Sequence, residues 1–188
     1  MHYQLNANAR YYLVGIDLAM YETGMSILNI NGKVFKFVLF TTHIKKYKDR
    51  DQDIDICFIS YNKEKDPVKK GIVLGTALTR YLIWNRILNI SLCFEDDAHG
   101  SFRSNRFGAF TGSVKSILYR AFPIAPIHTN PITSIKKFAT GKGTASKSAM
   151  IRKFVQYNNI DPVTDDVADS FFIALYNVNK YSDRVCDE

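Results

Sequence analysis

The strongest local constraint on this chain is the dipeptide Asn31-Gly32. It stands between two apolar runs, "GMSILNI" (24–30) and "KVFKFVLF" (33–40). Asn and Gly both tolerate positive φ, so this pair between apolar runs predicts a hairpin with a tight turn. A third apolar run, "YYLVGID" (11–17), precedes it, so the chain opens with three strands. Helical and strand patterns then alternate. A helix follows Pro67, "ISLCFE" (90–95) reads as a buried strand, and a second helix runs to about Phe122. "PIAPIHT" (123–129) gives a short strand, and three more helical stretches follow. A hairpin followed by such alternation predicts an α/β fold, a mixed sheet with helices on both faces. A length of 188 residues suits one domain. Residues 1–10 and 180–188 read as loose ends, and the charged, irregular stretch 43–66, interrupted by "IDICFISY", reads as an insertion that holds a short strand or a flap.

The helices carry their own signals. Pro67 suits a first turn, and Ile72, Leu74, Leu78, Leu82 and Ile83 recur at roughly helical spacing. Ser104 is a candidate cap for the next helix, with Phe107, Phe110, Val114, Ile117, Leu118 and Ala121 as its apolar stripe. Gly108 and Gly112, one turn apart, permit close backbone packing there. Ser146 and Thr164 are candidate caps for two later helices, the last reaching about Tyr176.

Charge narrows the function. A formal net charge of +7 favours a polyanion as partner. Yet acids stand at particular places. Asp17 follows the first strand, and Glu95 closes the strand "ISLCFE". Asp166 and Asp169 sit three apart at the start of the last helix, so they share a face while Val167, Ala168, Phe171, Phe172 and Leu175 pack inward. One acid at a strand end is ordinarily solvated, and acids in a first helical turn ordinarily complement the macrodipole. Four of them meeting would repel strongly without cations. Hard divalent ions, above all Mg²⁺, resolve that repulsion. Two such ions can activate water and stabilise the leaving oxygen in phosphodiester hydrolysis. Asp165 and Thr164 serve the helix start, and Asp96 and Asp97 read as ordinary solvated acids.

Four blocks together resemble the RuvC group of Holliday junction resolvases, within the ribonuclease H-like superfamily, and the short phage-encoded members especially. They are "GIDLAMYETG" (15–24), "CFEDDAHG" (93–100), "TGKGTASK" (140–147) and "DDVADSFFIALY" (165–176). The resemblance implies a mixed five-stranded sheet flanked by helices. It implies a homodimer that nicks two strands of a four-way DNA junction with Mg²⁺, or Mn²⁺ in its place. By motif, the catalytic metal ligands are Asp17, Glu95, Asp166 and Asp169. The sequence departs from the bacterial pattern where Leu18-Ala19 replaces the usual Pro-Gly, and where 43–66 exceeds the compact core.

The residues expected to meet DNA are basic and aromatic. Lys136, Lys137, Lys142 and Lys147 surround the Gly141/Gly143 loop, where backbone N–H groups can approach a phosphate. Lys147, then Lys142, is the candidate for assisting catalysis. Arg103 and Arg106 alternate with Phe102 and Phe107, and Phe102 reads equally as a base-stacking wedge or a buried residue. The basic run Lys45, Lys46, Lys48 and Arg50 reads as a DNA-touching arm or a solvated hairpin. The helix 104–122 is the expected dimer contact, by fold analogy.

Other classes are disfavoured. Cys57, Cys93 and Cys186 lie far apart and outside any CxxC or Cys/His cluster, so neither a disulfide framework nor a structural zinc is supported. The first residues lack a signal peptide's apolar core, and no apolar run is long enough for a membrane span. A cytoplasmic, reducing setting follows. The rival readings are a less selective nuclease for branched or flapped DNA and a junction-binding protein that does not cut.

Overall fold

The computed structural model describes residues 11–47, 53–61, 63–96 and 102–185; the side chains of residues 44, 102–104 and 181–185 are not among those described. Three antiparallel strands open the chain: β1 (Tyr12–Asp17), β2 (Glu22–Asn29) and β3 (Val34–Thr41). The hairpin lies where expected, but its turn is longer than two residues. Residues 30–33 connect the strands, and of Asn31 and Gly32 only Gly32 has positive φ, at 76°. The Asn29 side chain accounts for the difference. Its Oδ1 accepts from the Asn31 and Lys33 N–H groups and organises the wider loop.

β4 (Ile54–Phe58) follows and pairs in parallel with β3. Helix α1 (Pro67–Trp84) leads to β5 (Ile90–Glu95), and α2 (Phe102–Ala121) leads to β6 (Ile127–Asn130). Helices α3 (Ile132–Thr140), α4 (Lys147–Asn158) and α5 (Asp165–Val185) complete the chain. The sheet order is β4-β3-β2-β1-β5-β6, with β1, β5 and β6 parallel. The expected mixed sheet is present with six strands rather than five. The additional strand is β4, from within 43–66, which adds to the β3 edge.

The period-2 alternation of β1 divides the core. Tyr12, Val14 and Ile16 face one layer with Leu74, Leu78, Leu82, Phe110, Val114 and Leu118 of α1 and α2. Leu13 faces the other, with Met150, Phe154, Val167, Phe171 and Phe172 of α4 and α5. Because both faces are covered, the central strands read as continuous apolar runs rather than as alternations.

Several local expectations change in tertiary context. Asp66 caps α1 and Pro67 opens it, but Ile72 and Ile83 face solvent, so the buried stripe is Leu74, Leu78 and Leu82. Helix α2 begins at Phe102, ahead of Ser104. A Cβ at Gly108 or Gly112 would meet nothing within 4 Å. The close α1–α2 approach instead uses Gly71 and Gly75, where a Cβ would lie 2.4 Å from the Phe110 carbonyl oxygen and 2.9 Å from Ile117 Cβ. Ser146 caps α4 through the Ala149 N–H, and Thr164 caps α5 through the Val167 N–H at 3.4 Å. Helix α5 continues to Val185, well past Tyr176. Cys93 is buried, Cys57 is partly buried, and Cys186 lies outside the described residues. Among the described residues no helix is long and apolar enough to cross a membrane.

Candidate metal and nucleic-acid site

The sheet register places the first two acids. β1 and β5 run in parallel with Ile16 opposite Phe94, so Asp17 and Glu95 come next on adjacent strand ends, about 5 Å apart along the sheet. β3, β4 and β6 also end on this edge, since each is parallel to β1 within the sheet.

Helix α5 brings the second pair, and two glycines admit it. A Cβ at Gly24 would lie 2.0 Å from the Asp166 carbonyl oxygen, and one at Gly15 would lie 2.1 Å from that of Ser170. The helix therefore lies almost on the backbone of β1 and β2, with its start over the sheet edge that carries Asp17. A buried hydrogen bond between the hydroxyls of Ser26 and Ser170, at 2.7 Å, fixes the crossing. The neighbouring polar contact is also closed. The Asn130 amide donates to Asn177 Oδ1, and Lys180 Nζ donates to Asn130 Oδ1, which ties α5 to the end of β6.

The electrostatics follow from this convergence. Asp17 is pushed well above the ordinary carboxylate range, first by burial and then by the charges of Glu95, Asp166, Asp169 and Asp165. Asp166 is raised to about 7, by burial and by Asp165. Asp169 is raised to about 6, again by burial and then by Asp165, with Lys136 and Lys147 opposing. Asp17 thus sits within the fields of the other three expected acids. Asp169 Oδ1 is buried without a hydrogen-bond partner. An orphaned carboxylate oxygen among mutually repelling acids is the environment a hard cation relieves. The all-oxygen donor set fits Mg²⁺ or Mn²⁺. Among the described residues, no three acidic, histidine or cysteine side chains already close around a single point.

Lys147, the expected catalytic lysine, opens α4 beside this cluster. Its ammonium pairs with Asp165, and that hydrogen bond raises its pKa, with Asp166 and Asp169 contributing charge. Asp165 was expected only to support the helix start. It also holds Lys147 and raises the other acids, a role that depends on where α4 lies. Lys136 lies on α3 near enough to Asp169 to lower its pKa. Lys137 and Lys142 are exposed. Lys142 lines a cleft of about 430 Å³ with Arg152 and Lys153, two cations that the sequence reading did not single out. Arg106 is exposed and donates to the Lys65 carbonyl at 3.2 Å. Phe102 and Arg103 lie in the first turn of α2, but their side chains lie outside the described residues, as do Lys48, Arg50 and Asp97. Phe107 packs against the α1–α2 core, and Glu95 shares a small pocket with Leu18, Phe107 and Lys115.

Sequence comparison finds no matching protein-family profile and no matching curated protein. Structure comparison does find relatives. A Thermus thermophilus RuvC structure aligns with a TM-score of 0.60 at 16% identity, covering 93% of this chain and 96% of that one. T. thermophilus RuvC in complex with a Holliday junction substrate aligns with a TM-score of 0.63 at 14% identity, covering 93% and 95%. The chain has the RuvC fold. Its RuvC-type sheet carries Asp17 and Glu95 on one edge, α5 carries Asp166 and Asp169, and the glycines beneath α5 let the helix come close. Gly15 and Gly24 lie inside "GIDLAMYETG", but only the packing of α5 shows why they must be glycines.

Proposed function

We propose that this protein is a metal-dependent, structure-selective endonuclease that nicks symmetric strands of four-way DNA junctions. The observation that carries the reading is the acid cluster of Asp17, Glu95, Asp166 and Asp169, set in a RuvC fold within a chain of net charge +7. The acids hold cations, and the basic surface holds phosphate. A RuvC of the same fold has been captured with a Holliday junction, which makes branched DNA the preferred substrate class to test first.

Asp17, Glu95, Asp166 and Asp169 would hold Mg²⁺. When bound, the ion would supply Lewis-acid activation of water and neutralise charge at the leaving oxygen. The chain's own residues set the conditions for this. With their pKa values raised, Asp17, Asp166 and Asp169 hold protons more tightly than ordinary carboxylates do, and a bound cation would displace any that remain. Asp165 positions the Lys147 ammonium beside the cluster, where it can offset the negative charge of a scissile phosphate. Lys136, Lys137 and Lys142 continue the cationic surface away from the acids. Cleavage would leave a 5′ phosphate and a 3′ hydroxyl. Symmetric nicking requires two active sites, hence a homodimer, with the open Gly108/Gly112 face of α2 as its contact.

The test is a panel of four-way, three-way, flapped and linear DNA incubated with Mg²⁺, using wild type, Asp17→Asn and Asp169→Asn. Wild type should cut the four-way junction in preference to the others. Both variants should lose nicking, with Asp169→Asn still binding the junction. Equal cutting of all branched substrates would favour the less selective nuclease. Junction binding without any metal-dependent cutting would favour a non-cutting binder.

A further inference from the structure

The strand that exceeds the expected five also builds a second surface on the functional edge. β4 ends at Phe58, opposite Thr41 at the end of β3. Residues 42–47 fold back between these strand ends and the β1–β2 connection. Here a cleft of about 490 Å³ is lined by Thr42, His43, Lys45, Lys46 and Phe58. Tyr21 borders it, with its ring centroid 6.3 Å from that of His43.

Two properties distinguish this cleft from an ordinary solvated edge. First, its aromatic faces are turned outward: Phe58 is 51% exposed and Tyr21 56% exposed. A phenyl ring left in water forgoes the free energy of burial, so an exposed ring at a strand end is a candidate contact surface. Second, cations surround the rings and carboxylates do not dominate. Lys45 and Lys46 line the cleft, and Lys70 Nζ stands 5.1 Å from the Tyr21 ring centroid and 5.2 Å from that of Tyr61. Glu22 engages Lys46 at 3.1 Å and accepts from the Tyr47 hydroxyl at 2.6 Å, so it anchors the segment while Lys45 stays exposed.

The segment is also held in place. The Thr42 N–H donates to the Tyr21 carbonyl at 3.0 Å, the His43 N–H to Thr41 Oγ1 at 3.0 Å, and the Ile59 N–H to the Thr41 carbonyl at 2.8 Å. Tyr47 is buried beneath it. The cleft is thus a fixed concavity with aromatic walls and a cationic rim. It lies on the same sheet edge as Asp17, three strands away, or about 14 Å at the usual strand spacing.

We propose that this corner is a nucleotide-stacking subsite, in which a base of an unpaired DNA segment stacks on Phe58 while Lys45, the cation that Glu22 does not hold, meets its phosphate. Aromatic platforms with cationic rims bind single strands with little sequence preference, since every base offers a π-face. The proposal deepens the DNA-nicking reading and rests on it for the choice of DNA as ligand. It adds a way for a junction with separated strands to be held at a distance from the acids.

The experiment places the reporter in the cleft. Trp84 is the chain's one tryptophan and lies on the surface at 87% exposure, so Trp84→Phe removes the native signal. Phe58→Trp then supplies an indole at the platform. The full chain carrying both substitutions is titrated, in EDTA, with oligothymidylate, a four-way junction and heparin. Saturable quenching by both DNAs but not by heparin is expected, because stacking quenches an indole and a phosphate contact alone does not. Lys45→Glu should weaken the quenching transition. In the otherwise native chain, Phe58→Ala should weaken oligothymidylate binding roughly 5- to 100-fold, with an unchanged circular dichroism spectrum. Junction binding measured by anisotropy with no quenching, or equal quenching by heparin, overturns the subsite and leaves the nuclease reading intact. Quenching by DNA in a protein that cuts no substrate sustains the subsite and overturns the nuclease reading instead.

Discussion

Gly24→Ala is the most direct test of how the site is assembled. The added methyl would lie 2.0 Å from the Asp166 carbonyl oxygen, 2.3 Å from its carbonyl carbon and 2.7 Å from the Val167 nitrogen. All three are backbone atoms, so no flexible side chain can swing aside. Even the tightest contacts real Cβ atoms make begin near 3.0 Å, so the start of α5 must retreat by about 1 Å or β2 must bend by as much. Overpacking a well-packed interface costs about 1–3 kcal/mol, and a clash confined to backbone belongs at or above the top of that range. The functional loss should exceed the loss of stability, because Asp166 itself moves. A misplacement of about 1 Å in a catalytic array costs on the order of 10²-fold. The assays are urea unfolding and single-turnover nicking of a four-way junction under conditions where the variant is still folded. Val73→Ala is the control. Val73 is exposed on α1, and its substitution should change stability by no more than about 0.5 kcal/mol and leave nicking unchanged. Wild-type stability and nicking in Gly24→Ala would refute the docking of α5 on β2, and with it the account of how Asp166 reaches Asp17.

Asp166 and Asp169 bind protons more tightly folded than unfolded, so without cations the folded protein takes up protons between about pH 4 and about pH 7. Stability should fall as pH rises through that window, by about 2 kcal/mol after allowance for the partial solvent access of both groups. Thermal melting in EDTA against pH checks this, and Asp166→Asn should flatten the slope and raise the Tm at pH 8. Adding Mg²⁺ to wild type at pH 8 should raise the Tm and release protons, and isothermal calorimetry in buffers of different ionisation enthalpy counts the protons. Lys147→Met should lower nicking by about 10²-fold or more while changing junction affinity much less, a split that separates a role at the acids from simple phosphate binding. Tyr81→Phe removes the 2.5 Å hydrogen bond from α1 to Asp55 of β4, and chemical unfolding should show a loss of about 1.5–3 kcal/mol, as for hydrogen bonds to charged groups.

Much of the fold is written in local order. The apolar runs, the Asn31-Gly32 hairpin and the caps Ser146 and Thr164 are short-range signals, because they depend on φ preference and on hydrogen bonds a few residues long. The four acids were also legible, since strand ends and helix starts can be located without knowing how they pack. Other features needed the tertiary structure. "IDICFISY" among charges is compatible with a short strand or a flap, and only pairing with β3 decides for the strand β4, because a parallel edge strand is defined by its partner. The glycines show the same limit. Gly108 and Gly112 have the spacing of a close contact, yet Gly71 and Gly75 make it, because spacing shows that a helix face is smooth and not which neighbour arrives there. Asp165 gained its ion pair only when α4 set Lys147 beside it. The sequence by itself determined which elements form and where the carboxylates lie along the chain, through local conformational preference and hydrophobic period. The tertiary structure alone decided that α5 lies on Gly15 and Gly24, and so that Asp17 lies in the fields of Glu95, Asp166 and Asp169, because contact between distant backbones depends on three-dimensional packing that no local pattern encodes.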